Sequence, residues 1–290
     1  MLVKLLKKST NYLSLVKFAH TVFALPFALI GFSLAMIQMP GEFSLWLLVE
    51  VVLCMVFARN AAMAFNRYAD REIDKMNPRT AVREIPAEII KPKAALFFVI
   101  LNVVLFVGTT YFINPLVFLL SPVAMLVVLG YSYSKRFTWL AHLILGLGLS
   151  LAPIGAYFAV AGRFDILPVL YSFIVLFWVA GFDIIYALQD EEFDKSQNLK
   201  SIPVFMGKRG ALNFSSFLHT LTIAFVIMAG IMGEGQVLFW IGAAIFIALL
   251  IYQHFLVKPT DLSKVNLAFF TTNGIASVVF AGFVIADLFV

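Results

Sequence analysis

Apolar residues in this chain come in long unbroken runs, and polar residues gather between the runs. Nine runs can be read, roughly over residues 18–39, 43–65, 94–113, 116–131, 139–160, 166–188, 211–232, 237–257 and 267–290. Each is close to the about 20 residues that one helical bilayer crossing needs. The runs are continuously apolar, without the alternation of a membrane β-barrel. The pattern predicts an all-α membrane protein with nine transmembrane helices.

The connections differ on the two sides. On one side they are tight turns: Pro40-Gly41, Asn114-Pro115, Gly162-Arg163 and Gly233-Glu234-Gly235. On the other, the loops after spans two and six are long, and long loops in a compact domain tend to carry function. Of the 21 Lys and Arg residues, all but Arg163 fall on the long-loop side, together with the N-terminus. Positive residues mark the cytoplasmic face, so the N-terminus is predicted to be cytoplasmic and the C-terminus external. The net charge of +5 then follows from topology, and no nucleic-acid partner is called for. The chain is 62% hydrophobic and 13% charged, against about half and about a quarter in soluble domains. Counting soluble domains from length therefore does not apply. The basic-then-apolar start resembles a signal peptide but is followed by further spans, and reads as a retained first helix. Cys54, the single cysteine, lies inside span two and reads as a packing residue.

Both long loops begin in acid. One opens with NRYADREID (66–74) and the other with YALQDEEFD (186–194). Asp70 and Asp74 are one helical turn apart, as are Asp190 and Asp194, and each pair is offset from its counterpart by 120 residues. Ile85-Pro86 and Ile202-Pro203 follow in the respective loops. This spacing predicts a two-fold internal repeat; the competing explanation is a chance likeness of two polar helix ends. Like charges at this spacing repel by a few tenths of a kcal/mol, so stability alone would not select the arrangement twice. A divalent cation reverses the sign: Mg²⁺ is held by carboxylates together with phosphate oxygens and water. Asn66, Asp70 and Asp74 would form a polar stripe on helix two, and Asp183, Asp190 and Asp194 another on helix six. Facing each other, the stripes could hold two Mg²⁺ with a diphosphate between them. The alternative is two solvated loops whose carboxylates simply pair with Lys and Arg.

Arg71, Arg79, Arg83, Lys135, Arg136 and Lys200 share this face. A diphosphate leaving group needs positive charge beyond its metals, although topology alone also puts basic residues here. Glu50, Arg59 and Asp183 sit deeper, where charge is costly and points to function; Glu50 reads equally as a protonated packing residue. Lys17 and His20 enter span one, His20 reading as an interfacial side chain. Gly146, Gly148 and Ser150 read as small residues that let helices approach. No glycine-rich phosphate loop, Cys/His metal cluster or Ser-His-Asp arrangement is readable.

At its two acidic motifs the chain resembles the UbiA superfamily of intramembrane prenyltransferases. Asn66-x3-Asp70-x3-Asp74 matches that family's first motif and Asp190-x3-Asp194 its second. RTAVREIP (79–86), KSIPVFMG (200–207), YSYSKR (131–136) and VKFAHTVFALPFAL (16–29) agree around them, the last with the quinone-precursor branch. There are two departures. The first motif often begins Asn-Asp, whereas Arg67 follows Asn66 here. The loop after Pro86 often has a glycine, whereas here it is Ala87-Glu88. The resemblance implies a single domain over residues 1–290, bundled around a central apolar cavity. It implies Mg-dependent transfer of a polyprenyl group from polyprenyl diphosphate to a small aromatic acceptor, 4-hydroxybenzoate or a dihydroxynaphthoate, for ubiquinone or menaquinone. Asp70, Asp74, Asp190 and Asp194 would bind the metals. Asn66, Lys17, Arg71, Arg136 and Lys200 would help hold the diphosphate. Arg79 and Lys135 would share the leaving-group charge, and Asp183 or Asp190 would take the ring proton. Prenyl transfer to a non-benzenoid acceptor (a haem vinyl group, a chlorin, a glycerol-phosphate lipid), divalent-cation transport and a membrane scaffold are the competing functions.

Overall fold

The computed structural model describes residues 11–16, 23–39, 41 and 44–290. Lys17 and His20 lie outside the described residues. A short helix over 11–15 (α1) is followed by α2 (Leu25–Gln38), α3 (Leu45–Ala69), α4 (Arg71–Met76), α5 (Pro92–Ile113), α6 (Pro115–Ser134), α7 (Ala141–Ala161), α8 (Ile166–Ala187), α9 (Glu191–Ser196), α10 (Ile202–Met232), α11 (Val237–Leu256) and α12 (Asn273–Leu288). There is no strand among the described residues, only an isolated bridge between Lys258 and Asp261. Among the described residues eight helices are long and apolar enough to cross a membrane, and the chain is a multi-pass membrane protein. The expected first span lies partly outside the described residues; its described part, α2, has 14 residues.

Local chemistry sets the helix ends. Ser44 caps α3, its Oγ accepting from Leu47 N at 3.0 Å. Asn114 caps α6 by accepting from Val117 N at 2.9 Å, while its Nδ2 donates to Phe158 O of α7 at 2.9 Å. One side chain thus closes a turn and ties two helices together. Proline opens α5 and α6, where its missing N–H costs nothing. Helix α10 begins nine residues earlier than the apolar run, at Ile202, because Ser201 caps it there. Inside it Gly207 has φ 68° and ψ 169°, a conformation nearly confined to glycine, so the helix kinks between the loop and the span.

The core centres on α8. Trp178, Tyr157, Phe27, Phe246 and Phe280 are wholly buried, and Trp178 Nε1 donates to Asn273 Oδ1 at 2.9 Å. Buried in this way, an indole N–H without a partner would destabilise the core. Helices α2, α7 and α8 touch backbone to backbone. A Cβ on Gly31 would lie 2.0 Å from Pro153 O, and one on Gly146 would lie 2.4 Å from Leu176 O. Gly146 therefore does what its size implied. Gly148 does not: its nearest neighbour, Val128, is 3.9 Å from such a Cβ, and it lines an apolar pocket instead.

Candidate active site

The two acidic motifs fold into matching corners. Helix α3 ends at Ala69, the backbone turns at Asp70 (φ −93°, ψ 4°), and six-residue α4 carries Asp74 in its first turn. Helix α8 ends at Ala187, a 3-10 turn over Leu188–Asp190 follows, the backbone turns at Asp190 (φ −104°, ψ 0°), and six-residue α9 carries Asp194 in its first turn. The expected straight stripes are thus bent, one at Asp70 and the other at Asp190. In the first corner the one-turn spacing survives the bend: Asp70 N donates to Asn66 O at 2.9 Å and Asp74 N to Asp70 O at 2.7 Å.

Both corners open into one cavity of about 610 Å³. Among its lining residues are Asn66, Asp70, Asp74, Arg79, Lys135, Asp183, Asp190 and Asp194. Basic side chains grip the carboxylates. Lys135 Nζ lies 2.6 Å from Asp70 Oδ2, and Arg83 Nη1 lies 2.6 Å from Asp74 Oδ1. Arg79 reaches from the first loop to the second corner, its Nε donating to Asp190 Oδ1 at 2.9 Å and its Nη2 bonding Oδ2. Asn77 Nδ2 donates to the same Oδ1 at 3.1 Å. Burial works against the Arg79 charge, but the hydrogen bonds and field of Asp190, with Tyr186, outweigh it and hold the guanidinium pKa above its ordinary value.

Arg136, Arg71 and Lys200 stand outside the lining. Arg136 Nη2 donates to Ala69 O at 2.6 Å and lies 3.5 Å from Asp70 Oδ1. Arg71 Nη1 donates to Tyr68 O at 2.8 Å, and Lys200 Nζ to Phe137 O at 3.1 Å.

Several lining residues were not singled out from the sequence. His142 Nδ1 is 2.7 Å from Asp183 Oδ2. Tyr186, Phe182, Phe23, Phe269 and Phe270 form an aromatic wall, Tyr186 and Phe269 with ring centroids 4.1 Å apart. Phe269 and Phe270 lie in a π-helical turn over Leu267–Thr272; such turns are frequent at functional sites. Arg67, the departure from the family pattern, is buried in the cavity wall with Nε and Nη1 unpartnered. Arg59 Nε is also buried and unpartnered.

Among the described residues no group of three His, Cys, Asp or Glu side chains is already gathered to hold a metal; Asp70, Asp74 and Asp190 face basic partners. One atom nevertheless asks for a cation. Asp74 Oδ2 is buried without a hydrogen-bond partner, and such an oxygen costs at least about 1–3 kcal/mol. With Asp70, Asp190 and Asp194 on the same cavity, the donor set is all hard oxygen, which fits Mg²⁺.

A sequence model described as the UbiA prenyltransferase family matches residues 24–275. A 4-hydroxybenzoate octaprenyltransferase of Aeromonas hydrophila is 31% identical over 245 residues, 83% of this chain and 84% of that protein. The apo structure of a UbiA homologue from Aeropyrum pernix K1 superposes with a TM-score of 0.83 at 29% identity, over 92% of this chain and 98% of that one. A UbiA homologue from Archaeoglobus fulgidus bound to GPP and Mg²⁺ shares the fold, with a TM-score of 0.76 at 24% identity over 97% of this chain and all of that one.

Proposed function

This chain belongs to the UbiA prenyltransferase family and is a polyprenyltransferase, and we propose that its acceptor is a phenolic ring, 4-hydroxybenzoate or a dihydroxynaphthoate on the way to a quinone. The observation that carries the proposal is the shared cavity: two acidic corners, 120 residues apart, line one chamber with an apolar pocket beside it. That pocket, about 280 Å³ between α3, α5, α6 and α7, shares Arg59, Tyr131, Leu145 and Leu149 with the chamber. It suits an isoprenoid tail, while the chamber suits a diphosphate. The Archaeoglobus relative, bound to GPP and Mg²⁺, supports this pairing of ligands.

Asp70, Asp74, Asp190 and Asp194 would hold two Mg²⁺. Bound there, the metal neutralises the leaving diphosphate and eases loss of the allylic C–O bond. The chain's own residues do the rest. Arg79 and Lys135 place fixed positive charge beside the diphosphate oxygens. Arg67 offers unpartnered N–H groups to an anion in the same wall. Tyr186, Phe269 and Phe270 present ring faces to the allylic cation, an attraction of about 0.5–2 kcal/mol each. The apolar wall keeps out water, which would trap the cation as an alcohol. Arg59, where the chamber meets the apolar pocket, is suited to the carboxylate of the acceptor.

We assign the whole chain to one nine-span domain, with the N-terminus and the chamber on the cytoplasmic side of a bacterial inner membrane. The concentration of charge at one end of the bundle favours chemistry over ion transport, which needs charge through the membrane depth. The deciding measurement uses the purified protein in detergent with Mg²⁺, labelled prenyl diphosphate and a mixed panel of acceptors, read by mass spectrometry. A prenylated phenol or naphthol is expected. Product only from haem, chlorin or glycerol-phosphate acceptors would overturn the assignment.

A further inference from the structure

The two carboxylates that the sequence offers as bases are both engaged. Asp190 is held by Arg79 through both of its oxygens. Asp183 is bonded to His142 Nδ1 at 2.7 Å. A carboxylate only accepts, so the proton of that bond belongs to Nδ1, and Nε2 of the neutral ring carries the lone pair. Nε2 is buried and has no hydrogen-bond partner. His142 is 6% exposed and lines the chamber beside Leu145, Phe182, Asp183 and Tyr186. An imidazole in the wall of a reaction chamber, oriented by a carboxylate at one nitrogen and unpartnered at the other, is the arrangement of a general base with its orienting acid.

We propose that His142 is the base that removes the ring proton, with Asp183 as its positioning residue; this rests on the aromatic-transfer reading above. The electron pair of the allylic C–O bond leaves with the diphosphate. A π pair of the phenol forms the new C–C bond to the prenyl carbon. The ring C–H proton then passes to His142 Nε2, and its bonding pair returns to the ring. The imidazolium gives the proton to the released diphosphate or to water, which restores the base. Asp183 fixes the tautomer and offsets the transient positive charge.

The test compares the phenol that the wild type prenylates with the same phenol deuterated at the ring carbons flanking its hydroxyl group. With the base in place, proton loss is fast and the two should react alike. In His142→Gln, kcat should fall roughly 10²–10⁴-fold and the deuterated phenol should now react more slowly, while KM for prenyl diphosphate stays unchanged. Asp183→Asn should behave in the same way, because an amide that donates to Nδ1 forces the proton onto Nε2. It also provides a second reading if His142→Gln does not fold. Loss of kcat without an isotope effect, or near-wild-type turnover in both variants, would overturn the assignment of His142 and leave the aromatic reading standing. No prenylated phenol from the wild type would remove both.

Discussion

The two acidic corners share a backbone but not a setting. Each is a long apolar helix, a turn at an aspartate with nearly the same φ and ψ, and a six-residue helix with the second aspartate in its first turn. In the first corner the aspartate side chains are sealed in, Asp70 3% and Asp74 5% exposed, Asp70 bound by Lys135 from the end of α6 and Asp74 by Arg83 from the corner's own loop. In the second, Asp190 is 18% exposed, and its cation, Arg79, comes from the loop of the first corner. The fold therefore repeats a shape while dividing the work: one corner is built into the protein, and the other is strapped to it. Geometry of the bend, more than the residues flanking it, is what the two corners hold in common.

The largest effects should come from the aspartates themselves. Asp70→Asn, Asp74→Asn, Asp190→Asn and Asp194→Asn are each expected to lower kcat by roughly 10²–10³-fold, the scale of losing one preorganised electrostatic contact. Stability should separate the corners. Breaking a buried pair costs about 3–5 kcal/mol; Lys135 keeps 28% exposure, so Asp70→Asn is expected to cost somewhat less, on the order of 2 kcal/mol. Asp190→Asn should cost within about 1 kcal/mol, as for an exposed pair. Thermal unfolding in detergent reads the difference, and equal shifts in Tm would show that the corners are not differently anchored.

Arg79→Gln probes the strap. Hydrogen bonds to a charged group contribute about 1.5–3 kcal/mol, so kcat/KM should fall roughly 10–100-fold. Asn77 still holds Asp190 Oδ1, so Tm should move little. An unfolded Arg79→Gln protein would mean that the strap is structural and carries no share of the chemistry.

Much of this was visible in the sequence because the bilayer leaves so few choices. An apolar run of about 20 residues can satisfy its backbone only as a helix, and eight of the expected spans appear as such helices. The acidic corners were visible because like charges one turn apart invite an outside cation. The bend at Asp70 was not, since the same spacing suits a straight helix. Nor could topology sort the basic residues: Arg79 and Lys135 enter the chamber, whereas Arg71 and Lys200 bond to backbone carbonyls. Packing alone makes that distinction. His142 is the lone histidine in an apolar run, and only tertiary structure brings it to Asp183, 41 residues away. The start of α10 was misplaced because Lys208 and Arg209 interrupt the apolar run while the helix continues through them.

The smallest effect concerns how each corner's loop returns to the bundle. After the second corner the awkward backbone falls in part on Gly207, at φ 68°. After the first it falls on Glu88, at φ 59°. A left-handed conformation costs a non-glycine residue about 1–2 kcal/mol. Glu88 is exposed, and its backbone N–H closes a turn onto Ile85 O at 3.0 Å. Glycine would keep that bond and relieve the strain, but it gains freedom in the unfolded chain, which takes back part of the benefit. Glu88→Gly is therefore expected to stabilise the protein by a net of about 0.5–1 kcal/mol, with turnover unchanged. A lower Tm would mean that the Glu88 side chain contributes more to the first corner's loop than its backbone costs.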